Sequence, residues 1–182
     1  MPYFLYTLVT LIGILGILSI VYVIHFNKLN SQKIKIDEAE FVIDDTLRMR
    51  YDLIIRVSNI IKTNIDINAD YFKEFEVLKS KKISNFDLDR KIDEAINLVM
   101  QLKDDYNTLA ENRGMQDVMI ELKETEEKLE AAKAFYNKYT TELNLIIKKF
   151  PSNIVAKIHH FSPKTFFDGK DLEDEIVDDF KL

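Results

Sequence analysis

The residues of this chain that could do chemistry are its histidines and a polar group on one long predicted helix. His25, His159 and His160 are the histidines of the sequence. A helical bundle can hold two metal ions with Glu-x-x-His pairs that face inward, but no glutamate stands three residues before any of them. The adjacent His159 and His160 could bind a metal weakly. We prefer a capping or surface role, because a histidine ligand needs an orienting neighbour, and we predict no metal site.

The polar group has two interpretations. Asn137 and Asn144 lie one heptad apart on the same helical face and could fix the register of neighbouring helices by hydrogen bonds. A pocket between the helices near Tyr136, Asn137 and Asn144, serving a ligand sensor or an enzyme, is the alternative. The structural role is preferred, because buried polar groups are usually hydrogen-bonded within the protein. The candidate polar positions of the bundle are Thr125, Glu126, Tyr136, Asn137 and Asn144.

Composition and motifs exclude several classes of activity. The 182 residues include no cysteine, so disulfides, thiolate metal sites and a cysteine nucleophile are excluded. The chain has neither a Gly-x-x-x-x-Gly-Lys phosphate loop nor a Gly-x-Ser-x-Gly elbow. Outside the C-terminal tail, acidic and basic residues nearly balance, so nothing favours nucleic-acid binding. We predict no catalytic residues, no cofactor and no nucleic-acid partner.

The N-terminus has the composition of a membrane anchor. Residues 1–27 contain no Lys, Arg, Asp or Glu, and residues 3–26 are long enough to cross a hydrocarbon core of about 30 Å. A cleaved signal peptide is the rival, but it needs a basic start, a shorter apolar run and a small-residue cleavage site. Lys28, Lys33 and Lys35 follow the apolar run directly. The positive-inside rule therefore predicts a single-pass protein of the cell membrane, with its N-terminus outside and its C-terminal domain in the cytoplasm.

Apolar residues spaced by three and four predict that the rest of the chain is helical. The longest such stripe runs from Met115 to Phe150, and Pro151 is expected to end its helix. Similar stripes predict a helix at about 32–65, which continues from the anchor and has its Asp, Glu, Arg and Lys residues on the opposite face, and a helix at about 85–109. Ser84 or Asn85 is expected to cap the second of these helices, and Ser152 is expected to cap a short helix at 153–160. Gly114 is expected in the connection before the longest helix.

These elements predict an all-α fold: a single N-terminal transmembrane helix followed by an antiparallel bundle of three to four long helices. The domains are the anchor at 1–27, the bundle at 28–167 and an acidic tail at 168–182. Phe161, Phe166 and Phe167 are expected to pack against one end of the bundle. A turn at 66–70, a short helix at 71–78 and a loop at 79–82 complete the prediction. Such stripes also suit coiled coils between chains, so a homo-oligomer is the alternative to a bundle within one chain.

Several runs of sequence resemble the LemA family. They are Thr125-Glu126-Glu127-Lys128-Leu129, Ala132-Lys133, Phe135-Tyr136-Asn137 and the run from Phe150 to Ala156, together with Ile43-Asp44, Leu47-Arg48, Arg50 and Asp52-Leu53-Ile54 in the first helix after the anchor. The chain departs from the family pattern at three positions. Leu143 replaces the tyrosine of a second Tyr-Asn, Ile55 replaces a proline, and His160 replaces a glycine.

The resemblance implies an anchored, antiparallel helical domain for which no enzymatic activity is established. It also implies a conceivable role in membrane organisation, since one branch of the family is associated with membrane invagination in magnetosome-forming bacteria. Together with the missing catalytic pattern, it favours a non-enzymatic scaffold or interaction protein at the bacterial cell envelope. Its expected partners are the bilayer, through residues 3–26, and other proteins at the membrane.

Overall fold

The computed structural model describes residues 2–65, 72, 73, 75 and 83–168. This part of the chain contains the helices α1 (Pro2–Asn64), α2 (Asn85–Asp105), α3 (Asn107–Ala110), α4 (Arg113–Lys148) and α5 (Ser152–Ile158). The predicted all-α class, with one long apolar N-terminal helix followed by further helices, is confirmed. The turn predicted at 66–70, the loop at 79–82 and the tail beyond residue 168 lie outside the described residues, as does most of the helix predicted at 71–78.

Helix α1 runs from the apolar N-terminus into the charged part of the chain without a break, as the absence of Gly and Pro between residues 17 and 64 predicts. Among the described residues, α1 is the helix that is long and apolar enough to cross a membrane. Residues 3–20, an uncharged and mainly apolar stretch of this helix, are all exposed. A bilayer core would cover a helical surface of this length and composition.

The chain divides into two compact units. The first unit comprises Met1–Glu38 and Phe135–Leu182, and the second unit comprises Ala39–Ala134. Long helices α1 and α4 each contribute one part to each unit. The domain boundaries after residues 27 and 167 stay predictions.

The first unit has a small apolar core made by three helices. Leu29 and Ile36 come from α1, and the other buried members are Leu143, Ile146, Val155 and Ala156 from α4 and α5. Phe161 packs against this cluster, as expected. The prediction that Ser152 caps α5 is wrong: Ser152 is buried, and its Oγ lies 2.9 Å from His25 Nδ1 of α1 in a hydrogen bond. The Ser152 hydroxyl therefore contacts α1 and does not cap its own helix.

In the second unit α1 and α4 pack antiparallel, because residues later in α1 form ion pairs with residues earlier in α4. Lys128 Nζ lies 3.6 Å from Asp45 Oδ2, and Arg56 Nη1 lies 3.0 Å from Glu121 Oε2. Apolar stripes of α1, α2 and α4 form the core, as their spacing predicts. Its fully buried members include Ile43, Leu47, Ile54, Val57, Ile61, Ile92, Ala95, Val99, Leu109, Met115, Val118 and Leu129.

The predicted helix at 85–109 is wrong at its end. Ser84 caps α2 by accepting a hydrogen bond from the Asp87 amide at 3.1 Å, as expected. The helix then stops at Asp105, Tyr106 is extended (φ −125°, ψ 102°), and the short α3 carries buried Leu109. Two aspartates in the last turn of α2 oppose the helix dipole, and this favours an early end.

Helix α4 starts and ends earlier than predicted. Asn112 caps it by accepting a hydrogen bond from the Met115 amide at 3.1 Å, so Gly114 lies in the first turn of α4 and not in the connection. At the other end α4 stops at Lys148, and Phe150 is 73% exposed. The placement of Phe150 in the buried stripe is therefore wrong, because Pro151 disfavours helical dihedrals at the residue before it and the helix ends ahead of both.

Candidate functional site

The most deeply buried charge described in the second unit is Arg50 of α1. Its side chain is 0% exposed, which contradicts the prediction that arginines lie on the outer face of this helix. Arg50 stands three residues after Leu47 and four before Ile54, so it occupies the apolar stripe itself. Spacing was the signal that could have revealed its burial.

Two carboxylates from different helices accept hydrogen bonds from the Arg50 guanidinium. Nη1 donates to Glu126 Oε2 of α4, and Nη2 donates to Asp93 Oδ1 of α2 at 3.1 Å. Arg50 Nε is buried and has no hydrogen-bond partner among the described residues. The candidate position Glu126 is thus one arm of a three-helix ion-pair network, whereas Thr125 donates to carbonyl groups of its own helix, at Glu121 and Leu122.

A second ion pair joins α2 to α4 in this unit. Lys133 Nζ lies 2.6 Å from Asp89 Oδ2 and 2.8 Å from Glu130 Oε1. Burial lowers the pKa of Lys133, but the hydrogen bonds and the negative charges of Asp89 and Glu130 outweigh it, so its pKa is raised above the ordinary value. The pKa of Asp93 is also raised, first by its burial and then by the charge of Asp89, against the opposing effect of Arg50.

These charges link three helices and leave little room for other chemistry. Each cation is engaged by two carboxylates, and such networks perturb pKa values without being catalytic. We therefore regard the network as a device that holds α1, α2 and α4 together.

The polar positions predicted farther along α4 belong to the first unit. Asn144 Nδ2 donates to the Lys164 carbonyl at 2.7 Å, and the Lys164 amide donates to Asn144 Oδ1 at 2.9 Å. Asn137 Oδ1 accepts from the Phe167 amide at 2.9 Å, and Tyr136 donates to the Thr165 carbonyl at 3.2 Å. These hydrogen bonds run to the backbone of residues 161–168, which we call the C-terminal segment. The prediction had placed the asparagine bonds between neighbouring helices.

The lysines that follow the apolar run also lie in the first unit. Lys35 Nζ lies 4.5 Å from the centre of the Tyr139 ring, Lys28 is exposed, and Lys33 lines a cleft of about 320 Å³. The other walls of the cleft come from α1, from α4, from the end of α5 and from the C-terminal segment. They are Phe26, Asn30, Leu143, His159, His160, Phe161, Ser162 and Lys164.

His160 gives α5 a glycine-type ending. The Phe161 amide donates to the Ala156 carbonyl at 2.9 Å, and the His160 amide donates to the Lys157 carbonyl at 3.3 Å. This pair of bonds defines a Schellman ending, in which the residue after the cap takes the left-handed conformation. His160 occupies that place with φ 56°.

The model of the LemA family matches residues 39–178 of the chain. This protein belongs to the LemA family. Comparison with the curated proteins finds no match. The family resemblance places a glycine where this LemA-family protein has His160, and the positive φ supplies a physical reason for that glycine.

No sequence pattern indicates the partners of Asn137 and Asn144. Their acceptors and donors are main-chain groups of the C-terminal segment, between 20 and 30 residues farther along the chain. Every residue type offers the same main-chain groups, so no pattern marks the segment that will be bound. Helical spacing could predict the face on which the two asparagines lie, but not what lies against it.

Proposed function

We propose that this LemA-family protein is a non-enzymatic interaction or scaffold protein, anchored in the cell membrane by residues 3–26 of α1. The observation that carries the proposal is the exposure of every residue from 3 to 20, a stretch of α1 without charged side chains. The N-terminus lies outside and the rest of the chain lies in the cytoplasm, because Lys28, Lys33 and Lys35 follow the span directly.

The engagement of the candidate polar positions supports a non-enzymatic role. Asn144, Asn137 and Tyr136 all hold main-chain groups of the C-terminal segment. A ligand at these side chains would have to displace that segment. The ion-pair network of the second unit likewise joins protein groups to one another.

The anchor and its orientation can be tested with single cysteines, because the chain contains none. Pro2→Cys, directly before the span, reports on the N-terminus, and Asp104→Cys reports on the exposed surface of α2. In intact cells a membrane-impermeant maleimide should label Pro2→Cys, and Asp104→Cys should react only after lysis. The reverse pattern would invert the orientation, and release of the unmodified protein by alkaline carbonate would reject the anchor.

The interaction role calls for capture of partners in the membrane. Phe41 of α1 is 72% exposed, and a photo-crosslinking residue there should give discrete adducts in cells. The photo-crosslinking residue placed instead at Asp104, on another exposed surface, provides a matched control. Adducts of identical pattern at both sites, or none at either site, would count against a specific protein-binding surface.

A further inference from the structure

The cleft of the first unit has the chemistry of an anion site. Lys33 of α1 and Lys164 of the C-terminal segment enter it, together with His159 and His160 at the end of α5. Among the residues that the structure describes, those lining the cleft include no Asp or Glu. Asp37 lies just beyond, where its Oδ1 is 3.2 Å from Lys164 Nζ, so one carboxylate offsets part of the charge. The cleft therefore offers cationic and N–H donors to a ligand.

The polar walls of the cleft are held in place by contacts within the first unit. Asn144 donates one hydrogen bond to the Lys164 carbonyl and accepts one from the Lys164 amide, and the Schellman ending fixes the His160 backbone. The His159 ring lies 4.5 Å from the Phe26 ring centre and forms a hydrogen bond to the Tyr22 hydroxyl. Such prior ordering reduces the entropy lost when a ligand binds.

The cleft also has an apolar side. Phe26, Leu143 and Phe161 line it together with the cationic groups. Its volume of about 320 Å³ lies at the small end of the range for ligand sites. A single headgroup with the first atoms of a glycerol backbone matches both its size and its mixed lining.

The position of the cleft along α1 identifies the source of the anion. Its α1 residues are Phe26, the last residue of the apolar run, and Asn30 and Lys33 in the next two turns. If α1 spans the bilayer, these turns lie at the level of the lipid headgroups, where basic residues meet anionic lipid. We propose that the cleft binds the phosphodiester of an anionic phospholipid, an inference that rests on the proposed membrane anchor.

Lys33 and Lys164 contact the phosphate oxygens, and the histidines donate further hydrogen bonds to them. Phe26 and Phe161 cover the glycerol. An anionic headgroup such as that of phosphatidylglycerol retains the full negative charge of the phosphodiester. Phosphatidylcholine carries a compensating cation on the same group, so it binds more weakly.

Histidine signals can report the binding directly. The full chain, labelled with ¹⁵N only at histidine, is prepared in neutral detergent and titrated with dihexanoyl phosphatidylglycerol, dihexanoyl phosphatidylcholine or inorganic phosphate. Single His→Gln variants assign the three signals. Phosphatidylglycerol should shift the signals of His159 and His160 to saturation, and should shift His25, which does not line the cleft, much less.

Two lysine variants separate the cleft from general attraction to a charged surface. Lys33→Gln should weaken phosphatidylglycerol binding by about fivefold to tenfold, as expected for a charge-assisted contact. Lys28→Gln removes the same charge from α1 outside the cleft and should change the affinity by less than about twofold, as for an exposed charge. Equal losses of phosphatidylglycerol affinity in the two variants would mean that the lipid is attracted by diffuse positive charge and not bound in the cleft.

The remaining measurements identify the source of the ligand and distinguish failure of the proposed anchor from failure of the proposed lipid site. Tighter binding of inorganic phosphate than of phosphatidylglycerol would assign the cleft to a soluble phosphate, and equal binding of the two lipids would remove the role of net charge. Either result overturns the inference. Alkaline release of a protein that still binds phosphatidylglycerol rejects the anchor. A retained protein whose histidine signals do not move rejects the cleft alone.

Discussion

Removing the two carboxylates that hold Arg50 should destabilise the second unit more than removing Arg50 itself. The cation and its two carboxylates differ in burial. The Arg50 side chain is 0% exposed, whereas the side chains of Asp93 and Glu126 are 53% and 42% exposed. Asp93→Ala with Glu126→Ala leaves a buried guanidinium, which cannot lose its proton. Breaking a buried pair in this way costs about 3–5 kcal/mol.

Arg50→Met has a smaller expected cost. Methionine retains an unbranched apolar stem in the stripe, and the freed carboxylates can be hydrated because each is about half exposed. Loss of the hydrogen bonds should therefore reduce the free energy of unfolding by about 1–2 kcal/mol. Adding Arg50→Met to the double alanine variant removes the buried guanidinium that has lost its carboxylates. This should restore about 2 kcal/mol of the free energy of unfolding.

Urea unfolding of the full chain in mild detergent, followed by far-ultraviolet circular dichroism, measures all three variants. Glu121→Ala is the matched control, because its ion pair with Arg56 is exposed at both ends and should contribute no more than about 1 kcal/mol. If Arg50→Met is as costly as the double alanine variant, or if the triple variant gains nothing over it, the argument from unequal burial is wrong.

Three further variants test other parts of the structure. His160→Gly should raise the free energy of unfolding by roughly 0.5–1 kcal/mol, since glycine adopts a φ of 56° without strain; an unchanged or lower value in urea unfolding would contradict this. The pKa of Lys133 is raised in the folded state. Its charge therefore contributes fully to stability below the pKa of the unfolded state, and this contribution is lost as the pH rises through the pKa of the folded state. The wild type should therefore lose more stability than Lys133→Gln above about pH 10.5, and parallel losses would argue against the raised pKa. Asn144→Asp replaces the amide donor to the Lys164 carbonyl with an oxygen that repels it, so hydrogen exchange at the Lys164 amide should accelerate by about tenfold, while the Phe167 amide changes less. Equal acceleration at both amides would mean that the C-terminal segment opens as one piece.

The helices could be predicted from the sequence because their information is local. Continuity of α1 follows from the absence of Gly and Pro after the apolar run, and the buried faces of α1, α2 and α4 follow from residue spacing. Each of these inferences needs only residues within a few turns of one another. Ser84 as the cap of α2 belongs to the same class, since a cap contacts its own first turn.

Helix ends were predicted less well, because several weak local preferences compete there. Apolar spacing alone carried the second helix to Leu109 and the third to Phe150. At Tyr106 the chain leaves the helix after two aspartates, and near Phe150 the following proline prevails over the spacing. Leu109 is nevertheless buried, so the stripe correctly predicted its burial although the helix assignment was wrong.

Partners distant in the chain were beyond the reach of these patterns. Ser152 was assigned to a cap because a cap is the nearest use for a serine before a helix, yet its hydroxyl meets His25, 127 residues away in the sequence. The same limit applies to Asn144, whose partner is the backbone of an irregular segment. Spacing restricts where a side chain lies on its own helix, whereas its hydrogen bonds depend on what the fold brings against that face.

Arg50 shows why a charge in an apolar stripe carries information that the apolar residues do not. Leucine and isoleucine in the stripes of α1 and α4 could exchange neighbours if α4 moved along α1 by one turn, since apolar contacts are not directional. The same movement would carry Glu126 about 5 Å away from the guanidinium and leave a buried cation without that partner. The penalty of about 3–5 kcal/mol for a broken buried pair is a large fraction of the stability of a typical domain, about 5–15 kcal/mol. We therefore expect the Arg50 network to contribute more to the choice of one register than to the net stability of the second unit. The exposed pairs at Asp45 and Arg56, which water can replace, cannot fix the register in this way.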